Sequence, residues 1–150
     1  MLKHGFVTII AFLIFVTSSF ADEFGTKDDA IKMVKSVQEM LAKDGPEATF
    51  KAINEKHFID RDLYPFVYKF DGTNVAHGAN AALVGKVLID LKDQNGKFLI
   101  REMIAIAKDS KSGWVDYMWP NPTTKKIEAK SSYVEAAGDY VVGVGVYRNN

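Results

Sequence analysis

The side chains best equipped for recognition chemistry are a lysine, an arginine and a histidine, each close to a run of aromatic residues. Lys130 lies in "KIEAKSSYV", Arg101 in "KFLIREMIAIAK" and His77 in "NVAHG". The ring-rich stretch "GWVDYMWPNP" comes shortly before Lys130, and "LYPFVYKF" shortly before His77. A small hollow walled by rings and closed by one or two cations outlines a carboxylate site, because an anion there gains charge-assisted hydrogen bonds away from water. Strand alternation sorts the rings: Val115, Tyr117 and Trp119 point one way, and Trp114, Asp116 and Met118 the other. By the same rule Lys130 shares a face with Ser132, and Tyr133 shares the opposite face with Ser131. Gly143 and Gly145 alternate with Val142, Val144 and Val146. Two positions without side chains on one face leave room for a ring or a ligand.

Plainer readings compete at each position. A lysine on an edge strand commonly faces solvent, an arginine on a helix commonly pairs with a carboxylate, and a histidine between Ala76 and Gly78 can be a satisfied structural group. Aromatic rings are also ordinary core filling.

Several other chemistries have no support. The chain contains no cysteine, which removes thiol nucleophiles, disulfides and covalent haem attachment. Of its three histidines, His4 falls in the leader described below, leaving too few for a multi-histidine metal site. No phosphate loop, dinucleotide fingerprint or G-x-S-x-G elbow occurs, so no cofactor, metal or catalytic residue is assigned. "DQNG" lacks the further ligand positions of a calcium loop. Lys and Arg number 19 and Asp and Glu number 19, so there is no basic field for nucleic acid or anionic lipid.

The elements that must position these residues follow from periodicity. Thr26 and Asp29 form a capping-box signature, followed by Ile31, Val34, Val37 and Leu41 at helical spacing. "DGPE" predicts a stop and the start of a second, short helix through "EATFKAIN". "LYPFVYKF" places Tyr64, Phe66, Tyr68 and Phe70 on one strand face, "DG" turns the chain, and "NVAHG" is a partner strand. "ANAALVGK" reads as irregular or briefly helical, and "KFLIREMIAIAK" as a helix with Leu99, Met103 and Ile106 inward. Three strands follow, over 114–119, 127–134 and 140–147, with both prolines around Asn121 in a hairpin loop. Helices followed by antiparallel strands give an α+β fold, a sheet of about five strands led by a long helix.

The first residues speak to compartment. "MLKHGF" is basic, "VTIIAFLIFV" is apolar, and "TSSFA" carries small residues at the minus-three and minus-one positions. This is the form of a signal peptide over residues 1–21, cleaved after Ala21. The apolar run is shorter than the roughly 20 residues a membrane-spanning helix needs, and no later run is longer. The expectation is a periplasmic or secreted protein with a single domain over 22–150 and no membrane span after cleavage.

Taken in order, "DGTNVAHG", "GKVLIDLKDQNG", "GWVDYMWPNP", "AKSSYV" and "YVVGVGVY" resemble a known family, the single Cache domain of the second type. The resemblance covers Asp71 to Tyr147 well, and the helix over Lys27 to Lys43 less specifically. It implies a PAS-like antiparallel sheet with flanking helices, acting as an extracytoplasmic sensor for which short organic acids are frequent ligands. Carried over residue by residue, the family's pocket falls on His77, Tyr117, Trp119, Lys130 and Tyr133, with Tyr64, Tyr68 and Arg101 at its rim. Many members read "HP" where this chain has His77–Gly78, which leaves the histidine's backbone less constrained. Receptors of the family continue into a second membrane helix and a signalling module. A chain closing at Asn150 is therefore expected to act as a free-standing module that sequesters a ligand or presents it to a membrane receptor or transporter. Two other functions stay open: a small α+β enzyme using His77 as a base in the same cavity, and a protein–protein adaptor docking through its aromatic strand.

Overall fold

The computed structural model describes residues 23–147; the expected signal peptide lies outside them. Thr26 caps the first helix, α1 (Lys27–Asn54), by accepting from the Asp29 amide at 3.2 Å, while the Asp29 carboxylate accepts from the Thr26 amide at 3.1 Å. The stop and restart expected at "DGPE" appears as a non-helical break at Gly45, where two helical segments meet across a kink within α1. Gly45 adopts φ 82° there, which a residue with a Cβ disfavours, and Pro46 restarts the helix with its preset φ.

Five strands follow the helix: β1 (Pro65–Lys69), β2 (Asn74–His77), β3 (Ser112–Pro120), β4 (Ile127–Ala137) and β5 (Tyr140–Tyr147). They form one antiparallel sheet in the order β2-β1-β5-β4-β3. The second helix, α2 (Leu99–Ser110), joins β2 to β3. It starts two residues later than expected, because the Asp93 carboxylate holds the Asn95 and Lys97 amides in a turn. Its buried stripe is Leu99, Ile100, Met103, Ile104 and Ala107. Ile106, expected inward, is only half-buried at the margin and packs over Gly113. Pro120 belongs to the end of β3 rather than to the loop. β3 is an edge strand, where a missing amide proton breaks no ladder in the middle of the sheet.

Alternation along the strands divides the core in two. Val67, Val142, Val144 and Val146 face α1, where they meet Val34, Val37 and Ile53. Phe66, Tyr68, Val115, Tyr117 and Val134 face α2 and its buried stripe. Every residue of the candidate pocket belongs to the α2 side or misses the pocket altogether.

Candidate functional site

The α2 face of the sheet encloses a hollow lined by Phe66, Tyr68, His77, Tyr117, Trp119 and Lys130 on the sheet side and by Leu99, Ile100 and Met103 on the helix side. Register explains the convergence. Tyr117 is paired with Lys130 across β3 and β4, Lys130 with Tyr147 across β4 and β5, and Phe66 with both Gly143 and His77. The glycines of β5 make the space. A Cβ on Gly143 would sit 2.3 Å from the Phe66 ring, and one on Gly145 would sit 2.4 Å from Lys130 Cε. The room left on that face is filled by a ring and by the stem of the lysine.

Lys130 is 1% exposed. Its ammonium donates to the Tyr64 hydroxyl at 2.8 Å and lies over the Tyr64, Tyr147 and Phe66 rings at 4.0, 5.0 and 5.6 Å. Among the described residues it makes no ion pair within 4.0 Å. Burial lowers its pKa to about 7, and the Asp62 carboxylate only partly offsets this by favouring the charged form. An ammonium carries three donors, and one hydrogen bond among the described residues leaves two unmatched. The charge is stabilised by ring faces but is not neutralised.

Hydrogen-bond direction around Tyr64 is determined. The Tyr147 hydroxyl donates to the Pro120 carbonyl at 2.7 Å. Its single proton is then in use, so in the 2.8 Å contact between the two hydroxyls Tyr64 donates to Tyr147. The Tyr64 oxygen in turn accepts from Lys130. Burial raises the pKa values of both tyrosines far above the working range, which keeps them neutral donors.

His77 Nδ1 accepts the amides of Ala79 and Asn80 at 3.2 and 3.0 Å. Its proton must therefore sit on Nε2, and the ring offers a donor. Burial, helped by the nearby Lys130 charge, lowers its pKa to about 3, so the imidazole is neutral at any ordinary pH. Its backbone is fixed as well, since the His77 amide donates to Asn54 Oδ1 at the end of α1 at 3.0 Å. The constraint that a proline would supply after His77 comes here from Gly78. Its amide donates to the Pro65 carbonyl at 2.9 Å, and a Cβ there would crowd Tyr64 at 3.0 Å.

Tyr117 packs edge-on against Trp119 and shares a 2.8 Å hydrogen bond with Ser132. Burial holds its hydroxyl un-ionised. The free volume of the hollow is about 10 Å³, close to that of a single water. Beyond Trp119 and His77 opens a vestibule of about 300 Å³, bounded by the Ala79–Asn80 corner and by the Pro120–Pro122 hairpin. Trp119 and His77 line both spaces and thus form the wall between them.

The structure brings Tyr64, Tyr68, His77, Tyr117, Trp119 and Lys130 together. It does not bring Tyr133 or Arg101. Tyr133 points to the α1 side, packs at a tilt against Trp114 and donates to Glu135, because its parity on β4 is opposite to that of Lys130. Arg101 lies on the outer face of α2, over the Phe98 ring and paired with Asp90. The hollow also includes residues that sequence reasoning did not assign to it: Phe66, Leu99, Ile100 and Met103 in its wall, and Tyr147 behind Tyr64. The signal for Tyr147 was available, since it shares strand parity with Gly143 and Gly145.

A family model described as a Cache domain (dCache_2) matches residues 26–150. The chain belongs to the Cache domain family. Its sequence is 39% identical over 89 residues to the sensor histidine kinase MctS of Rhizobium johnstonii, a match that covers 58% of this chain and 19% of that protein. The chain thus spans about a fifth of that relative's length. Its fold is similar to a methyl-accepting chemotaxis protein of Vibrio parahaemolyticus, with a TM-score of 0.72, 26% identity, and coverage of 81% of this chain and 87% of that one. It is also similar to a periplasmic sensor domain of a chemotaxis protein, with a TM-score of 0.67, 27% identity, and coverage of 81% and 90%. Cache domains of this kind are extracytoplasmic ligand-sensing domains of signal-transduction proteins. No helix among the described residues is long and apolar enough to cross a membrane.

Proposed function

We propose that this Cache domain binds a short monocarboxylate in the hollow between its sheet and α2, and that, exported behind its signal peptide, it presents the occupied site to a membrane receptor or transporter. One observation carries the carboxylate: a fully buried ammonium with two unmatched donors and no counter-ion within 4.0 Å among the described residues. A buried uncompensated charge is strongly unfavourable, and an anionic guest removes that penalty. Lys130 then neutralises the carboxylate, His77 Nε2–H donates to it, and Tyr117 and Trp119 cover it. The apolar residues of α2 meet the carbon tail.

The hollow as it stands has room for little more than a water. This favours the smallest acids and requires Trp119 or Met103 to shift on binding. Use of His77 as a general base has less support, because the lone pair on Nδ1 already accepts two amides. The adaptor reading is weakened by Tyr117, which is buried instead of presented to a partner.

Calorimetry with acetate and propionate tests the assignment. Replacing Lys130 by Met should weaken binding by roughly 30- to 150-fold, about 2–3 kcal/mol for a desolvated charged hydrogen bond. Unchanged affinity in K130M would remove Lys130 as the anion anchor.

A further inference from the structure

We propose that Tyr147 is a positioning residue that aims Lys130 through Tyr64, and that the same contacts carry occupancy of the site to the two points where the chain enters and leaves the domain. This rests on the carboxylate reading above and adds how that site is read out.

The hydrogen bonds run in one direction, from Lys130 to Tyr64 to Tyr147 to the Pro120 carbonyl. With both hydroxyl protons in use, neither tyrosine has one left to offer a guest. Tyr64 is instead the acceptor that fixes where the ammonium sits. Tyr147 fixes Tyr64, and it is the last residue of β5, where the chain leaves the sheet.

The residues just before Tyr64 hold the other end. The Arg61 guanidinium donates to the Phe24 carbonyl and to the Asp29 carboxylate, both at 2.9 Å. Asp62 is 1% exposed and accepts the Gly25 amide at 2.7 Å. Leu63 packs so closely on Gly25 that a Cβ there would lie 2.2 Å from Leu63 Cγ. Three consecutive residues thus clasp the entry to α1, and the fourth holds the lysine. A carboxylate held by the two unmatched donors pulls the ammonium toward itself and so strains its bond to the Tyr64 oxygen. Any shift of Tyr64 then acts on Tyr147 by hydrogen bond and on Phe24 to Asp29 through the contacts of residues 61–63.

Amide hydrogen exchange with and without saturating sodium acetate tests this. In the natural protein, acetate should change exchange at least threefold in three segments: the pocket strands, residues 23–30 and residues 144–147. In Y147F, acetate should still bind, about 3- to 10-fold more weakly, and still protect the pocket. Its effect on residues 144–147 should fall by more than half, while residues 23–30 still respond through segment 61–64. A purely structural Tyr147 would loosen β5 in both states and leave the acetate-dependent difference at residues 144–147 intact, which overturns the proposal. Protection of the pocket without a response at either end of the natural protein also overturns it, while leaving the carboxylate site standing. If neither acetate nor propionate binds the natural protein, both readings fall together. Should Y147F not fold, Y64F decides by the same criteria, because it removes the hydroxyl that links Lys130 to Tyr147.

Discussion

Replacing Lys130 by methionine should stabilise the unliganded domain while weakening its binding of acids. Lys130 titrates near pH 7 in the folded protein against 10.5 for an ordinary lysine. At 1.36 kcal/mol per tenfold, that difference is about 5 kcal/mol held against the folded state when the side chain is charged. The sign follows from proton counting. Between pH 7 and 10.5 the unfolded chain binds a proton that the folded chain does not, so stability of the natural protein rises through this window, and below pH 7 the penalty is complete. Methionine keeps the unbranched stem that packs over Gly145 and removes the charge. It also loses the bond to Tyr64, about 1.5–3 kcal/mol for a charged donor. The net gain at pH 6 is therefore about 2–3 kcal/mol, or a rise in Tm of roughly 10 °C for a domain of this size. His77 is neutral in the natural protein at that pH, chiefly because it is buried. Calorimetric melting at pH 6 and pH 10 reads the effect, which should fade toward zero at the higher pH. A K130M protein less stable than the natural one at pH 6 would mean that the buried ammonium is a structural tie. Lys130 would then not be a charge held ready for an anion.

Acetate binding should take up a proton above pH 7, because the anion restores the charged form of Lys130. Affinity then falls by up to tenfold per pH unit above 7, and calorimetry in two buffers of different ionisation enthalpy counts the proton. Gly145→Ala should cost about 1–3 kcal/mol in thermal melts, since its Cβ would collide with Ser132 Oγ at 2.2 Å and Lys130 Cε at 2.4 Å. Trimming Met103 to Val or Ala should move the length preference toward butyrate, by about fourfold per methylene accommodated at roughly 0.8 kcal/mol each. A set of dissociation constants across the acid series checks this, and an unchanged order would show that the tail does not point toward α2.

The arrangement fits a sensor better than a store. The charge that a guest satisfies is held by a hydroxyl that is also bonded to the end of the last strand, and the segment beside that hydroxyl grips the start of the first helix. Such a site has few independent parts.

Much of this was written in local sequence. The capping box at Thr26 and Asp29, the Gly45–Pro46 kink, the alternation of β3 and β4, and the bare positions of β5 are short-range patterns, and each appears in the structure where the sequence placed it. Parity alone put Lys130 and Tyr133 on opposite faces, although the resemblance to the family had grouped them. Tertiary structure decided which face is enclosed. Nothing near Lys130 in sequence states that β5 carries glycines beside it, that Tyr64 lies 66 residues away and 2.8 Å distant, or that α2 closes over it with Leu99, Ile100 and Met103. Burial, and with it the depressed pKa and the unmatched donors, is a property of all these elements packed together. A strand's pattern tells a side chain which way to point, but only the packing of distant elements determines whether it meets water there or a dry hollow.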